Sequence, residues 1–469
     1  MVVQHNISAM NANRMLGITS GSLAKSTEKL SSGYKVNRAA DDAAGLSISE
    51  KMRKQIRGLD QASANAEDGI SAVQTAEGAL TEVHDMLQRM NELAVKAANG
   101  TMSLDDRQTV QDEVDQLLTE IDRVAETTKF NETYLLKGDK DDKTVSVAAH
   151  DAGLVGTLTQ NTTKATFVMD ELKIGDTISI GGTEYTIGGT TQEVKDALDN
   201  VSAGETVTVD GTQYTVIDNN DTENADKNML KKASIQAKVA NGSTAVYKGK
   251  TYTSMTVGNA AGGTQTTKSV DDKNPLVITS SKAYDKVYQE LLLASSIGTD
   301  TSASKPAGFT VPTAAGAGNK VTFEFTKGTV VRKEGLNFSL HVGADADMTN
   351  KITVGIDALD TAGLGIKGLN VKDSTGAAAT YAIDSIADAV AKVSSQRSAL
   401  GAVQNRLEHT INNLDNVVEN TTAAESQIRD TDMAEEMVKY SKNNILQQAG
   451  QSMLAQANQA NQGVLSLLG

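Results

Sequence analysis

Apolar residues recur at every seventh position in two distant stretches of the chain. Val73, Leu80, Leu87 and Ala94 form one line, and Ala76, Val83, Met90 and Ala97 repeat three places later. Toward the other end Ile386, Val393, Leu400, Leu407 and Leu414 do the same, with Ala389, Val403 and Val417 on the second line. A 3–4 alternation places one narrow apolar stripe along a helix, and that stripe needs another helix to cover it. Pairing the two stripes buries both. The pattern therefore predicts a rod made from both ends of the chain, with the middle looped out as an insert.

Sparser stripes lie outside these. Ala9, Leu16, Leu23 and Leu30 recur every seven, and Ile445, Ala449, Met453, Leu454, Ala460, Val464 and Leu467 make an apolar face among Gln and Asn. Segments this poor in apolar area do not hold a helix alone. Their periodicity predicts ends that fold only against a partner, on assembly.

Between these stretches the sequence predicts a long helix over 41–100, stopped at Asn99-Gly100, and a second from Leu104 to Thr127. Val110, Val114, Leu117, Ile121 and Val124 give the second its stripe, and Ser103 with Asp105 and Asp106 gives it an N-cap and an acidic first turn. Asp41-Asp42 reads as a helix start favoured by the dipole. At about residue 139 helical periodicity stops and short alternating runs begin, such as Val321, Phe323 and Phe325. GDTISIGGTEYTI at 175–187 is echoed by GETVTVDGTQYTV at 204–216 and more faintly by KGKTYT at 248–253. The first two each read as a β-hairpin with a glycine turn. Residues 139–334 are thus expected to form one or two β-rich domains. A last hairpin is expected at 336–356, and helix is expected to resume near Thr380 and run to the C-terminus.

Composition narrows the chemistry. The net charge is -15, which argues against nucleic acid and anionic membrane as partners. Aromatics are 3% with no Trp, so the expectation is packing by small and aliphatic residues rather than by aromatic cores. With no Cys, disulfides and thiolate metal sites are excluded. MVVQHNISAM does not read as a Sec-type signal peptide, and no apolar run approaches the ~18 residues of a membrane span. The five histidines are dispersed. Gly363 to Gly368 spells GxGxxG outside any strand-turn-helix pattern and reads as a flexible linker. Asp345 and Asp347 lack the rest of an EF-hand. No catalytic residue, cofactor or metal site is expected, and the protein is not read as an enzyme.

Several blocks then become specific. KLSSGYKVNRAADDAAGLSISEKMR (29–53), NAEDGISAVQTAEGAL (65–80) and LQRMNELAVKAANG (87–100) resemble the N-terminal region of bacterial flagellins. SALGAVQNRLEHTINNL (398–414) and ILQQAGQSMLAQANQANQGVLSLL (445–468) are similar to the flagellin C-terminus. The resemblance covers 1–138 and 335–469. It implies a mainly α core of long coiled-coil helices from both termini plus a β-hairpin, with an inserted β-rich variable region. Residues 1–42 and 427–469 would be the inner coiled-coil core, disordered in the monomer. Residues 43–138 and 335–426 would be the outer helical core, and 139–334 the exposed variable region.

The function so implied is a self-polymerising, extracellular flagellar filament subunit, exported unfolded by the flagellar type III system. Its partners would be further copies of itself, an export chaperone, and cap and hook-junction proteins. The terminal residues assigned to assembly are Leu16, Leu23, Leu30, Ile445, Met453, Leu454, Val464 and Leu467. The family's contact motif for the flagellin-sensing Toll-like receptor matches Gln88, Arg89, Glu92, Leu93 and Glu113. Arg89 and Leu93 at i, i+4 would give an apolar-plus-charge patch, although the same residues could serve subunit packing instead. A junction protein between hook and filament, an adhesin in the insert and an enzyme lodged there are the alternatives.

Overall fold

In a computed structural model the described residues are 6–138, 141–255, 269–306, 319–373 and 375–466, with side chains described to residue 459. The helices are α1 (Ile7–Ser32), α2 (Ala43–Ala98), α3 (Leu104–Thr127), α4 (Thr191–Ala197), α5 (Lys232–Lys238), α6 (Ser280–Ala294), α7 (Thr361–Leu364), α8 (Ala377–Arg429) and α9 (Met433–Ser466). Their starts follow from capping. The Asn6 side chain accepts from the Ala9 amide, and Asp42 accepts from Gly45 ahead of α2. Ser103 and Asp106 form a capping box on α3.

The expected unbroken C-terminal helix is corrected. Asp430, Thr431 and Asp432 interrupt it. Asp430 bridges to Tyr34, and the Thr431 amide donates to the Gly33 carbonyl at 3.0 Å. Asp432 then caps the restart by accepting from the amides of Ala434 and Glu435. An acidic residue whose side chain competes for backbone donors ends one helix and begins the next.

The chain divides into two compact units. One comprises Met1–Ser71, Phe338–Val354 and Ala402–Gly469. Here α2 and α8 pair through residues ahead of the predicted N-terminal stripe: Leu59 and Ala62 pack with Leu414, and Ala66 packs with Leu407. Contacts Ser49–Glu425 and Ser63–Asp415 fix the two helices as antiparallel. The hairpin strands Leu336–His341 and Lys351–Ile356 pair with each other, and Val342 and Ile352 join the Ala66–Leu407 cluster. Gly69 lets the hairpin come close, since a Cβ there would lie 2.1 Å from Leu340 Cδ1 and the leucine would have to shift.

The other unit comprises Ala72–Asn337 and Gly355–Gly401. All eight residues of the first heptad pair, Val73 to Ala97, are buried, as are Ile386, Ala389, Val393 and Leu400. In α3 the buried line is Val110, Val114, Leu118, Ile121 and Ala125, with Leu117 and Val124 at its half-buried edge. Residues 361–366 are buried and ordered around α7, so the expected flexible linker is a packed turn. Gly365, at φ +82°, ends α7, and the Lys392 ammonium donates to the Leu364 carbonyl at 2.9 Å.

The insert departs from expectation in two ways. It holds an aromatic core. Phe167, Phe323 and Phe325 on the paired strands Lys164–Asp170 and Lys320–Thr326 meet Tyr284 and Tyr288 of α6. Ring centroids lie 6.0–6.3 Å apart around Phe323. The low overall aromatic content concealed this local concentration. The unread helix α6 presents Tyr284, Val287, Tyr288 and Leu291 at helical spacing to that core.

The faint third echo is a full copy. Residues 175–187, 204–216 and 242–254 share one pairing register, Thr177 with Thr186, Thr206 with Thr215 and Thr244 with Thr253. Each two-residue turn has positive φ at both positions: Gly181-Gly182, Asp210-Gly211 and Lys248-Gly249. That is the backbone a type I′ hairpin demands. Each hairpin is closed alike, with the first glycine's amide donating to the carbonyl of the last residue.

Candidate assembly and recognition surfaces

α1 and α9 pack antiparallel, Asn6 Nδ2 donating to the Ala457 carbonyl at 3.0 Å while Gly450 lies against Leu16. Relative burial defines the seam. On α1 it is Ala9, Ala12, Leu16, Thr19, Leu23, Ser26 and Leu30. On α9 it is Glu436, Tyr440, Asn443, Gln447, Gly450, Leu454 and Ala457. Both lines step by three and four. The α9 side of the seam is largely polar or small.

A second set of apolar residues points away from the seam. Ile7, Met10, Met15 and Ile18 are exposed on α1, and Met437, Val438, Ile445, Leu446 and Met453 are exposed on α9. The eight assembly residues therefore separate. Leu16, Leu23, Leu30 and Leu454 are half-buried in the seam, whereas Ile445 and Met453 are 67% and 62% exposed. The Val464 side chain and Leu467 lie outside the described residues.

A clamp joins the two chain segments where α1 ends and α9 begins. Arg429 donates to Glu50 at 2.9 Å, and its guanidinium carbon lies 4.7 Å from the centroid of the Tyr34 ring. The Lys35 amide donates to the Arg429 carbonyl at 2.7 Å. The hydrogen bond from Arg429 is the main cause holding the Glu50 carboxyl below its usual range.

The receptor motif folds as a charged patch. Arg89 Nη2 reaches Glu113 at 2.8 Å and Arg89 Nη1 reaches Glu92 at 3.1 Å. The Glu113 carboxylate foremost raises the pKa of the guanidinium. Gln88, Arg89 and Glu92 are exposed, and Gln88 Nε2 lies 2.9 Å from His84 Nε2. Leu93 does not join them. It is 2% exposed and packs inward, so the expected apolar-plus-charge patch is corrected to charge alone. Leu93 sits on the helix face adjoining Met90 and Ala94, both buried, which spacing from Arg89 alone did not reveal.

The insert carries a groove of about 1000 Å³ between the first and third hairpins, lined by both polar and apolar side chains, among them Asp176, Ser179, Lys250, Met169, Leu172 and Ile178. An ion pair between Asp176 and Lys250 spans it. Its lining contains no histidine and assembles no nucleophile with a base. Among the described residues no group of three or more His, Cys, Asp or Glu could hold a metal ion, and no helix is long and apolar enough to cross a membrane.

Comparison with known proteins agrees with the helical reading. The bacterial flagellin N-terminal helical region matches residues 3–141, and the flagellin C-terminal helical region matches 383–468. A flagellin of Clostridium tyrobutyricum is 37% identical over 472 residues, covering 98% of this chain and 100% of the relative. A flagellin of Bacillus subtilis is 34% identical over 471 residues, covering 100% of both chains. A flagellin of Halalkalibacterium halodurans is 33% identical over 468 residues, again covering 100% of both.

Proposed function

Because this chain belongs to the bacterial flagellin family and is a structural subunit of the flagellar filament, we propose that its subunits join through the outward faces of α1 and α9. The observation that carries this is the separation of faces. The seam between the two helices is already used within the chain, and Ile7, Ile18, Ile445 and Met453 are left exposed outside it. Burying a large apolar side chain contributes about 1.5–3 kcal/mol, and ordering costs ~1–2 kcal/mol per residue. Helices with a polar seam reach order only when a neighbour covers Ile7, Ile18, Ile445 and Met453. Residues 1–42 and 427–469 accordingly form the inner core and order on assembly. Residues 43–138 and 335–426 make the outer core, and 139–334 face solvent. Contacts of this kind do not close on themselves and propagate as a helical fibre.

The same reading includes unfolded export by the flagellar type III apparatus, with a chaperone before export and cap and hook-junction proteins at the filament ends. Removing residues 440–469 should leave a folded, soluble subunit that does not elongate filament seeds, as seen by negative-stain electron microscopy. Filaments from the truncated protein would defeat the reading.

A second reading rests on the Arg89–Glu113–Glu92 cluster. It presents a preformed charged patch on α2 and α3 to the flagellin-sensing Toll-like receptor, with Gln88 beside it and Leu93 holding the helix from beneath. Arg89→Ala should weaken receptor binding by more than about tenfold, a hot-spot-sized loss, with unchanged circular dichroism. Equal binding by wild type and variant would assign the cluster to subunit packing.

A further inference from the structure

The outward face of α1 and α9 is furnished with thioethers where the seam is furnished with leucine. All five methionines of the two helices, Met10, Met15, Met433, Met437 and Met453, are 48–67% exposed. Leu16, Leu23, Leu30 and Leu454 are the half-buried ones. Elsewhere in the chain Met90 and Met169 are buried in cores, while Met348 in the loop of the 336–356 hairpin is 75% exposed.

We infer that these five methionines form an oxidation site through which peroxides or hypohalous acids switch off assembly while leaving the subunit folded. The inference rests on the assembly reading above. In the reaction the thioether sulfur attacks one oxygen of hydrogen peroxide. The O–O bond breaks as an S–O bond forms. The sulfur loses two electrons and becomes a sulfoxide, and the departing oxygen takes up the proton and leaves as water. The product is polar where the thioether was apolar, and reductases reverse it. A sulfoxide carried into an apolar contact without a hydrogen-bond donor is penalised on burial. None of the five methionines lies on the seam positions, so oxidation leaves Leu16, Leu23, Leu30 and Leu454 chemically unchanged. Burial against neighbours in the filament would shield the same sulfurs, so the free subunit is the sensitive form.

The test treats the full-length subunit with hydrogen peroxide, maps sulfoxides by peptide mass spectrometry, and follows seeded elongation beside far-ultraviolet circular dichroism. Elongation by untreated protein is measured first, so failure of the assembly reading registers there. Treated wild type should keep its helical signal and show a critical concentration raised roughly tenfold, equivalent to about 1.4 kcal/mol per subunit. Treatment with methionine sulfoxide reductase should restore elongation. The variant M10L/M15L/M433L/M437L/M453L should elongate after peroxide as before it, while Met229→Leu, an exposed site in the insert, should leave sensitivity intact. Normal elongation by wild type carrying sulfoxide at all five positions would overturn the inference. So would equal loss in the five-leucine variant, or loss of helical signal in step with loss of elongation.

Discussion

The insert and the terminal helices solve the burial problem in opposite ways. The insert is closed almost entirely by its own residues: Phe167, Phe323, Phe325, Tyr284 and Tyr288 meet in one core of its strands and α6, to which α8 adds Tyr381. Its polar atoms are met within that core too, since the Tyr284 hydroxyl accepts from the Leu172 amide and the Tyr288 hydroxyl donates to the Glu324 carbonyl, each at 2.9 Å. Burial raises both phenols, that of Tyr288 to about 12, so both stay protonated. The terminal helices α1 and α9 are unfinished by the same standard. Their mutual seam includes Asn443, Gln447 and Glu436, while Ile7, Ile18 and Ile445 face outward. A region that satisfies its own apolar surface can be carried passively. A region that does not is built to be completed by another copy.

The largest test of that contrast is Phe323→Ala. It should destabilise the unit holding the insert by about 3–5 kcal/mol, read by urea unfolding followed through tyrosine near-ultraviolet circular dichroism. A loss no larger than that of a surface substitution would mean the insert is not a closed core. Next is Gly211→Ala. At φ +80° an added Cβ is strained although nothing lies within 4 Å of it, and the cost should be about 1–2 kcal/mol by the same unfolding measurement. The third substitution acts in the opposite direction. Gly17 and Gly21 lie inside α1 with open space around them, so Ala at each should favour the helix by about 0.5–1 kcal/mol. The free subunit should gain helical circular dichroism, and no gain would show that α1 is already ordered before assembly.

The smallest effect is one of pH. His150 is buried, with Nε2 3.3 Å from Ser385 Oγ, and Asp384, Asp388, Asp151 and Lys392 surround it. Burial holds its pKa below the unfolded value of 6.5 despite the carboxylates. The folded state therefore prefers the neutral ring. Its contribution is complete above pH 6.5 and is lost as pH falls through the lowered value. Asp384 acts with the opposite sign: burial raises its pKa above 3.8, and its contribution fades as pH rises through the raised value. His150→Gln should flatten the decline below pH 6.5 and leave the Asp384 component. An unchanged pH profile in His150→Gln would place the sensitivity elsewhere.

The sequence discloses most where one periodic rule governs many residues. The heptads of α2 and α8 predict their partners because each stripe has one place to go. Leu93 shows the limit of spacing. It shares a broad face with Arg89, yet a side chain four residues on can already have turned into the core. The third hairpin is hard to read because Ala245, Val246 and Tyr247 replace the Ile-Ser-Ile and Val-Thr-Val of the others. Its kinship lies in Gly242, Gly249 and Tyr252 and in the register. The aromatic core is invisible to averages over a long chain, and α6 hides because Tyr carries half of its apolar face. The break at 430–432 depends on a pairing with Tyr34, almost four hundred residues away, which no local pattern contains.

The three hairpins carry a consequence for heredity. Each copy brings its own opening glycine, its own two-residue turn and its own internal register. A tandem duplication or deletion that respects those borders adds or removes a piece already able to close its own turn. An insert built this way can change length in discrete steps while the reading frame of the heptads on either side is preserved. Variation in such a lineage would be counted in whole hairpins as well as in single substitutions.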